Sequence, residues 1–297
     1  MTSWIAADWG TSNLRIWAMD EADEVIGHAT SDDGMGRLAP GDFEGAFLKA
    51  AAPFLAEGRR TTVLICGMAG ARTGWQEVGY VPVPAPPSGP PEPVATTDGR
   101  LDVHILPGLS QADPADVMRG EETQLAGLLA TQPGFDGLVC LPGTHSKWAR
   151  IAGGRVTTFR TAMTGEFFAL LSTRSTLAGF AAEGWDEAAF AAAVREPQAE
   201  MLLADLFSLR ARGLLQGLPP GAGRAHLSGL LIGAEVAGMS ALAPDGRVSL
   251  LGEPTLCRLY ETALTARGLA CDTLEAEALT LAGLIAAHQT HFPPATG

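Results

Sequence analysis

The residues best suited to chemistry in this chain sit in short turns that follow apolar runs. Trp4 to Ala7 is compact and apolar, and Asp8 ends the run. Gly10, Thr11, Ser12 and Asn13 then form a turn rich in hydroxyls and backbone N–H groups before Leu14 to Met19 resumes apolar as the return arm of a hairpin. An acid at a strand end beside such a turn can hold a hydrated Mg²⁺ while the turn receives phosphate oxygens; an ordinary hairpin capped by Asp8 would use the same residues. Phe135 to Pro142 starts the pattern again. Leu138 to Leu141 is the strand, Pro142-Gly143-Thr144-His145-Ser146-Lys147 the turn and Trp148 to Ile151 the return arm. A Gly153-Gly154 turn and a third strand, Val156 to Phe159, follow, as Glu24 to His28 follows the first hairpin. The shared Gly-Thr makes this an internal repeat, which suggests two related domains facing one nucleotide.

Between the repeats, Met118-Arg119-Gly120-Glu121-Glu122-Thr123-Gln124 crowds two adjacent carboxylates and an arginine at a predicted helix start. The helix dipole favours acids there by about 0.3 to 1 kcal/mol, so the cluster can exist without chemistry. Further on, Gly252-Glu253-Pro254-Thr255 joins a strand to a helix and could receive an adenosine.

Composition narrows the function. The balance of 20 Lys+Arg against 33 Asp+Glu, a formal charge of -13, argues against a nucleic-acid partner and against anionic membranes, and favours a soluble cytosolic protein. A local cationic pocket can still receive an anion within a Debye length of about 8 Å. Cys66, Cys140, Cys257 and Cys271 show no Cys-x-x-Cys spacing and read as buried free thiols of a reducing compartment. There is no basic segment followed by an apolar stretch at the start and no run of 18 apolar residues. No metal-ligand cluster is expected. Residue 1 opens almost directly onto the first strand, so no DNA-binding region is expected either.

These turns need a scaffold, and 297 residues favour two domains. Phe43 to Leu55 has apolar positions at helical spacing, and Thr61 to Cys66 is a β-branched run leading into Gly67-Met68-Ala69-Gly70, the pattern of a buried parallel strand entering a functional loop. Residues 82 to 97 are dense in proline and read as a surface excursion. Asp102 to Leu106 is a strand and Asp116 to Leu129 a helix. A helix is entered through Thr164-Gly165-Glu166. Residues 177 to 215 are helical, and the small residues of Leu227 to Ala243 permit close helix packing. Arg247 to Leu251 and Ala270 to Leu274 are strands, flanking a helix from Thr255 to Arg267. The final helix, Glu275 to His288, could return to the first domain. The expected division is 1–134, with 275–292 packed back on it, and 135–274.

With these stretches in hand, the chain resembles the sugar kinases of the actin, hexokinase and Hsp70 superfamily, and more closely the 2-dehydro-3-deoxygalactonokinase family. The resemblance runs through Asp-Trp-Gly-Thr-Ser-Asn-Leu-Arg at 8–15, Gly-Met-Ala-Gly at 67–70 with Gly-Trp at 74–75, Met-Arg-Gly-Glu-Glu-Thr-Gln at 118–124, Pro-Gly-Thr-His-Ser-Lys-Trp at 142–148, Thr-Ala-Met-Thr-Gly-Glu at 161–166 and Leu-Ser-Gly-Leu-Leu-Ile-Gly-Ala-Glu-Val at 227–236. It implies two α/β domains of ribonuclease-H-like (actin-like ATPase) type with an interdomain cleft. It also implies ATP-dependent phosphorylation of 2-dehydro-3-deoxy-D-galactonate at its 6-hydroxyl, in D-galactonate breakdown.

The resemblance also assigns roles. Asp8 would hold Mg²⁺, with Gly10, Thr11, Ser12 and Asn13 around the γ-phosphate; Gly143, Thr144 and Ser146 would hold the β-phosphate, and Gly252 would border the adenosine. Glu121, directly after a glycine at the start of a linking helix, is the candidate base, with Glu122 as its competitor. The substrate carboxylate needs a cation, and Arg15, Arg119, Lys147 and Arg160 are the candidates; Arg15 and Arg119 lie in matched stretches but could instead be structural ion-pair partners. Met68, Trp75 and Asn13 are expected sugar-face contacts, although a tryptophan in the position of Trp75 is more often core. His145 reads as a hydrogen-bonded turn residue. The partners implied are a small sugar acid and ATP; a homodimer is compatible with the sequence.

Overall fold

The computed structural model describes residues 1–181, 183–196 and 201–293. They gather into two units: 1–135 with 152–158 and the chain from residue 276 onward, and 136–151 with 159–275.

The first unit is built on a six-stranded sheet. The strands β1 (Trp4–Trp9), β2 (Leu14–Met19) and β3 (Val25–Ser31) form an antiparallel meander, followed by α1 (Phe43–Ala51) and then β4 (Thr61–Gly67). The excursion contributes β5 (Tyr80–Pro82) and β6 (Glu92–Val94); after it come β7 (Leu101–Ile105), β8 (Gly108–Gln111), β9 (Asp116–Met118) and α2 (Glu121–Thr131). The sheet order is β3-β2-β1-β4-β7-β6, with β1, β4 and β7 parallel. In β1, Ile5, Ala7 and Trp9 pack on Phe43 and Phe47 of α1, while Trp4 and Ala6 join the cluster on the other face. Both faces are covered, which is why the strand reads as a continuous apolar run rather than an alternation.

The second sheet repeats this order. A β10 (Gly137–Leu141), β11 (Ser146–Ala152) and β12 (Arg155–Ala162) meander is followed by α3 (Thr164–Arg174), α4 (Glu187–Arg195), α5 (Leu202–Leu215) and α6 (Ala222–Met239). Then come β13 (Arg247–Gly252), α7 (Pro254–Ala266) and β14 (Ala270–Glu275), giving the sheet β12-β11-β10-β13-β14 with β10, β13 and β14 parallel. The shared pattern, an antiparallel three-strand meander extended by parallel strands, is ribonuclease-H-like in both units. The last helix, α8 (Ala276–His291), belongs to the first unit. Residues 222–242 are long and apolar enough to cross a membrane, but 61% of that stretch is buried inside the fold, as befits a core helix. All four cysteines are free thiols, and Cys66, Cys140 and Cys257 are buried.

The sequence reading differs from the structure in four places. The run expected to be helical from 177 to 215 is a 3₁₀ turn at Ala178–Phe180, then α4 and α5, with 183–186 not helical and 182 and 197–200 outside the described residues. The helix expected from Asp116 begins only at Glu121, because Asp116–Met118 pairs with β8 and Gly120 takes a φ of 105°, which breaks any helix running through it. The helix expected to reach Leu55 gives way at Ala51 to a 3₁₀ turn containing Pro53. The proline-dense excursion supplies β6 as a sheet edge and β5 to a small β5-β8-β9 sheet, since an edge strand leaves its proline without a lost ladder bond.

The start of α2 is fixed by its crossing with α8. A Cβ on Gly127 would stand 1.9 Å from the Leu279 carbonyl oxygen, and one on Gly283 would stand 2.0 Å from that of Thr123, so each helix admits the other's backbone. Gly127→Ala or Gly283→Ala must push the helices apart. Either should lower unfolding free energy by about 1–3 kcal/mol, as overpacking does, read by urea denaturation; a change near zero would show that the crossing is not tightly set.

Candidate active site

Two backbone close approaches create the acidic site of the first unit. Gly67, at the end of β4, has φ 89°, and a Cβ there would lie 2.7 Å from the Trp9 carbonyl oxygen and 3.4 Å from Asp8 Oδ1. A Cβ on Gly120 would in turn lie 3.3 Å from the Gly67 Cα. The end of β1, the end of β4 and the start of α2 are thereby stacked, with Asp8 and the two glutamates on adjoining layers. The two acids at the helix start behave differently. Glu122 is only 2% exposed, and both of its oxygens accept from the Gly120 N–H at 2.9 and 2.7 Å. Burial, and then the charge of Glu121, push its carboxyl up to about 8. Glu121 is half-buried and accepts from the Arg119 N–H at 3.0 Å.

Asp8 is directly opposite Arg15 in the β1/β2 ladder, and Arg15 Nη2 lies 2.5 Å from Asp8 Oδ2, while Nη1 reaches Glu277 of α8 at 3.3 Å. The other Asp8 oxygen, Oδ1, faces the Cys66 thiol at 3.7 Å; burial, then Asp8 and Glu122, push that thiol well up and keep it protonated. Thr11, Ser12 and Asn13 are exposed at the hairpin tip. The tip is held from behind, because Met35 and Gly36 donate their N–H groups to the Gly10 and Thr11 carbonyls at 3.0 and 2.9 Å. Only a glycine fits at position 34, where a Cβ would meet the Ser12 carbonyl carbon at 2.1 Å.

Arg119 is drawn inward. Its Nη2 donates to the Val78 and Gly79 carbonyls at 2.5 and 3.3 Å, its guanidinium lies 4.4 Å over the Tyr80 ring, and its Nε and Nη1 are enclosed without a hydrogen-bond partner. It therefore ties the strand before α2 to the loop after Gly67. Trp75 packs against Trp9, Phe43 and Phe47 at centroid distances of 5.9, 6.5 and 6.1 Å, which makes it a wall of the core. Met68 opens the 3₁₀ turn beside it, half-buried.

In the second unit the Gly143-Thr144 turn borders a cavity of about 400 Å³, whose other walls come from α3, α6, α7 and Trp185 before α4. Apolar side chains dominate it: Phe168, Trp185, Leu231, Ile232, Leu256 and Leu259, with Arg224 reaching 4.9 Å over the Phe168 ring. Thr144, Thr164, Ser228 and Tyr260 supply hydroxyls. An apolar slot with a few polar groups, opening on a hydroxyl-bearing turn, suits a flat base joined to a phosphate chain. Thr144 accepts from the Glu166 N–H at 3.0 Å, and His145 is hydrogen-bonded to Glu166 at 2.6 Å, so the histidine fastens the turn to α3.

Other expected residues are placed differently. Ser146 is fully buried, and its hydroxyl meets that of Tyr260 at 2.7 Å, which directs it into the interior rather than toward a ligand. Lys147 is 6% exposed, also inside, whereas Arg160 is exposed on β12. Gly252 ends β13, with room for a Cβ only 3.4 Å from Pro142. Glu253 caps α7 by accepting from the Thr255 and Leu256 N–H groups at 2.9 Å, bonds that hold its carboxyl below the usual range. The residues that sequence reasoning missed are the cavity walls on α3, α6 and α7. Most look like core positions; Arg224, a cation in the first turn of a largely apolar helix, departs from that pattern.

Among the described residues no group of three or more His, Cys, Asp or Glu could hold a metal ion. A lone carboxylate at a strand end still suits Mg²⁺ carried by phosphates and water, which takes only one or two protein oxygens.

A family profile described as 2-keto-3-deoxy-galactonokinase matches residues 8–287 of the chain. A Rhizobium meliloti (strain 1021) protein named as a probable 2-dehydro-3-deoxygalactonokinase is 42% identical over 304 residues, covering 97% of both chains. The Escherichia coli (strain K12) 2-dehydro-3-deoxygalactonokinase is 37% identical over 274 residues, 91% of each. A crystal structure from Sinorhizobium meliloti, described as a 2-dehydro-3-deoxygalactonokinase protein, superimposes with a TM-score of 0.87 at 39% identity, over 98% of this chain and 100% of that one.

The raised carboxyl of Glu122 has a consequence for stability. From its ordinary value of 4.5 up to about 8 the folded state holds a proton that the unfolded state has released, so stability falls as pH rises through that window and is unaffected by this group below it. Glu122→Gln should flatten the decline by up to about 1.4 kcal/mol per pH unit and become the more stable form near pH 8. Urea titrations of both proteins between pH 5 and 8 check it; parallel curves would show that Glu122 is ionised in the fold.

Proposed function

The chain belongs to the 2-keto-3-deoxy-galactonokinase family, and from that membership we propose that it transfers the γ-phosphoryl group of ATP to the 6-hydroxyl of 2-dehydro-3-deoxy-D-galactonate. The observation that supports the site is the stack of Trp9, Gly67 and Gly120, which brings the acids of α2 beside the end of β1. Glu121 takes the acceptor proton, since its carboxylate is half-open whereas Glu122 is enclosed and spent on the Gly120 N–H. As the acceptor oxygen bonds to the γ-phosphorus, the bond from phosphorus to the β,γ-bridging oxygen breaks and ADP leaves; the hydroxyl proton ends on Glu121.

Asp8 would hold Mg²⁺, which supplies charge neutralisation on the triphosphate. Thr11, Ser12 and Asn13 receive phosphate oxygens or the sugar at the hairpin tip, and the adenosine lies in the cavity beside Gly143 and Thr144. Of the two arginines, Arg15 meets the substrate carboxylate, because its side chain is one-third exposed and its second ion pair goes to an exposed Glu277. Arg119 positions the loop. Met68 borders the sugar. The free thiols and acidic surface fit a cytosolic enzyme.

Glu121→Gln should reduce sugar-acid-dependent ADP release by roughly 10²–10⁴-fold while leaving ATP binding nearly intact, measured by coupled ADP assay and calorimetry. Turnover within a few-fold of wild type would move the base to Glu122 or another group. In the same assay, a panel of 2-keto-3-deoxy sugar acids, aldonates, hexoses and polyols tests the acceptor. Activity on a hexose with none on any keto acid would overturn the substrate while sparing the kinase.

A further inference from the structure

Helix α6 is apolar along almost its whole buried face, and Glu235 interrupts it at 7% exposure. A carboxylate taken out of water in this way is tolerable only when donors replace the lost solvent. Four hydrogen-bonding side chains surround it. Trp148 Nε1 donates to Oε1 at 2.7 Å and the Tyr260 hydroxyl donates to Oε2 at 2.7 Å. The side chains of Thr164 and Ser146 also hydrogen-bond to it. The Ser146 hydroxyl also lies 2.7 Å from that of Tyr260, so its one hydrogen serves either Tyr260 or Glu235. Burial raises the Glu235 carboxyl, and these four side chains oppose the rise.

These side chains come from three elements, and two of them, Thr164 and Tyr260, line the cavity. Ser146 and Trp148 open β11 just after Thr144; Thr164 is the first residue of α3; Tyr260 is on α7. Thr164 and Tyr260 themselves line the cavity, as Thr144 does. Most of the remaining wall contacts are apolar, and apolar contacts fix area without fixing direction. We propose that Glu235 is the positioning residue of the nucleotide cavity, setting the distance and register of the hairpin turn, α3 and α7 against α6 so that base and phosphate chain fit together. This rests on reading the cavity as the nucleotide site.

Glu235→Gln keeps the volume but places an N–H₂ group where a donor already points, and Tyr260→Phe removes the hydroxyl that joins Glu235 to Ser146. Each should raise KM for ATP about tenfold or more, the loss expected when a charged hydrogen bond is broken. The sugar-acid KM should stay within about twofold, and saturating ATP should restore most of kcat. A purely structural role predicts something else: fewer active molecules with both KM values unchanged. That outcome in folded protein overturns the proposal. If Glu235→Gln does not fold, Tyr260→Phe decides alone by the same criteria. Leu231→Trp, which fills the cavity, separates the two readings. If it leaves ADP affinity unchanged, the cavity is not the nucleotide site and the proposal falls with it. If it abolishes ADP binding while Glu235→Gln and Tyr260→Phe retain the wild-type ATP KM, only the positioning role falls.

Discussion

No side chain fits between the ends of β1 and β4 and the start of α2. The Trp9 carbonyl, Gly67 and Gly120 are stacked so closely that a Cβ on either glycine would meet backbone at 2.7 or 3.3 Å, and both glycines take positive φ angles that other residues rarely adopt. The first unit depends on this exclusion. It delivers a helix N-terminus, with its partial positive charge and two carboxylates, onto the strand end that carries Asp8. The helix cannot tilt away, because Gly127 and Gly283 lock it against α8 at the other side.

The same molecule meets the problem of a partly or fully buried carboxylate in three ways, and each has its own chemical consequence. Asp8 is ion-paired with Arg15, so one of its oxygens is engaged by the protein. Glu122 accepts chiefly from the Gly120 N–H, with the Thr123 hydroxyl at 3.5 Å; burial outweighs these donors and drives it toward the neutral form near pH 7. Glu235 is met by four hydrogen-bonding side chains that oppose the same pressure. Of the two acids at the start of α2, Glu121 stays half-open, which is the state a proton acceptor needs.

Much of this was legible in the sequence where a local pattern carries the information. The apolar run ending in Asp8, the strand entering Gly67 and the second Gly-Thr hairpin all announced themselves by period and punctuation, and the repeated meander followed from them. The start of α2 was not legible, because acids and apolar spacing continue upstream through Asp116 and Met118, and only the positive φ of Gly120 stops the helix. Nor were the fates of Trp75 and Ser146. Whether a tryptophan stacks on a sugar or on Phe43, and whether a serine faces a phosphate or Tyr260, is decided by residues far away in the chain. The cavity walls were invisible for a related reason: a leucine facing a ligand and a leucine facing the core carry the same signal.

The two hairpins show how one scaffold came to hold two kinds of chemistry. Each has a residue near the end of its first strand paired with one near the start of its second, though the second hairpin closes one residue shorter, and the paired residues differ. In the first unit the pair is Asp8 with Arg15; in the second it is Leu141 with Lys147, the leucine being buried. An acid at that position of the second unit would put a negative charge beside the turn that borders the apolar cavity, opposing any phosphate there. Leucine avoids this, while the Gly-Thr turn that both hairpins share keeps the hydroxyl and amide donors. A carboxylate on one hairpin and its absence on the other thus separate the acid-bearing unit from the cavity-bearing one without altering the fold of either.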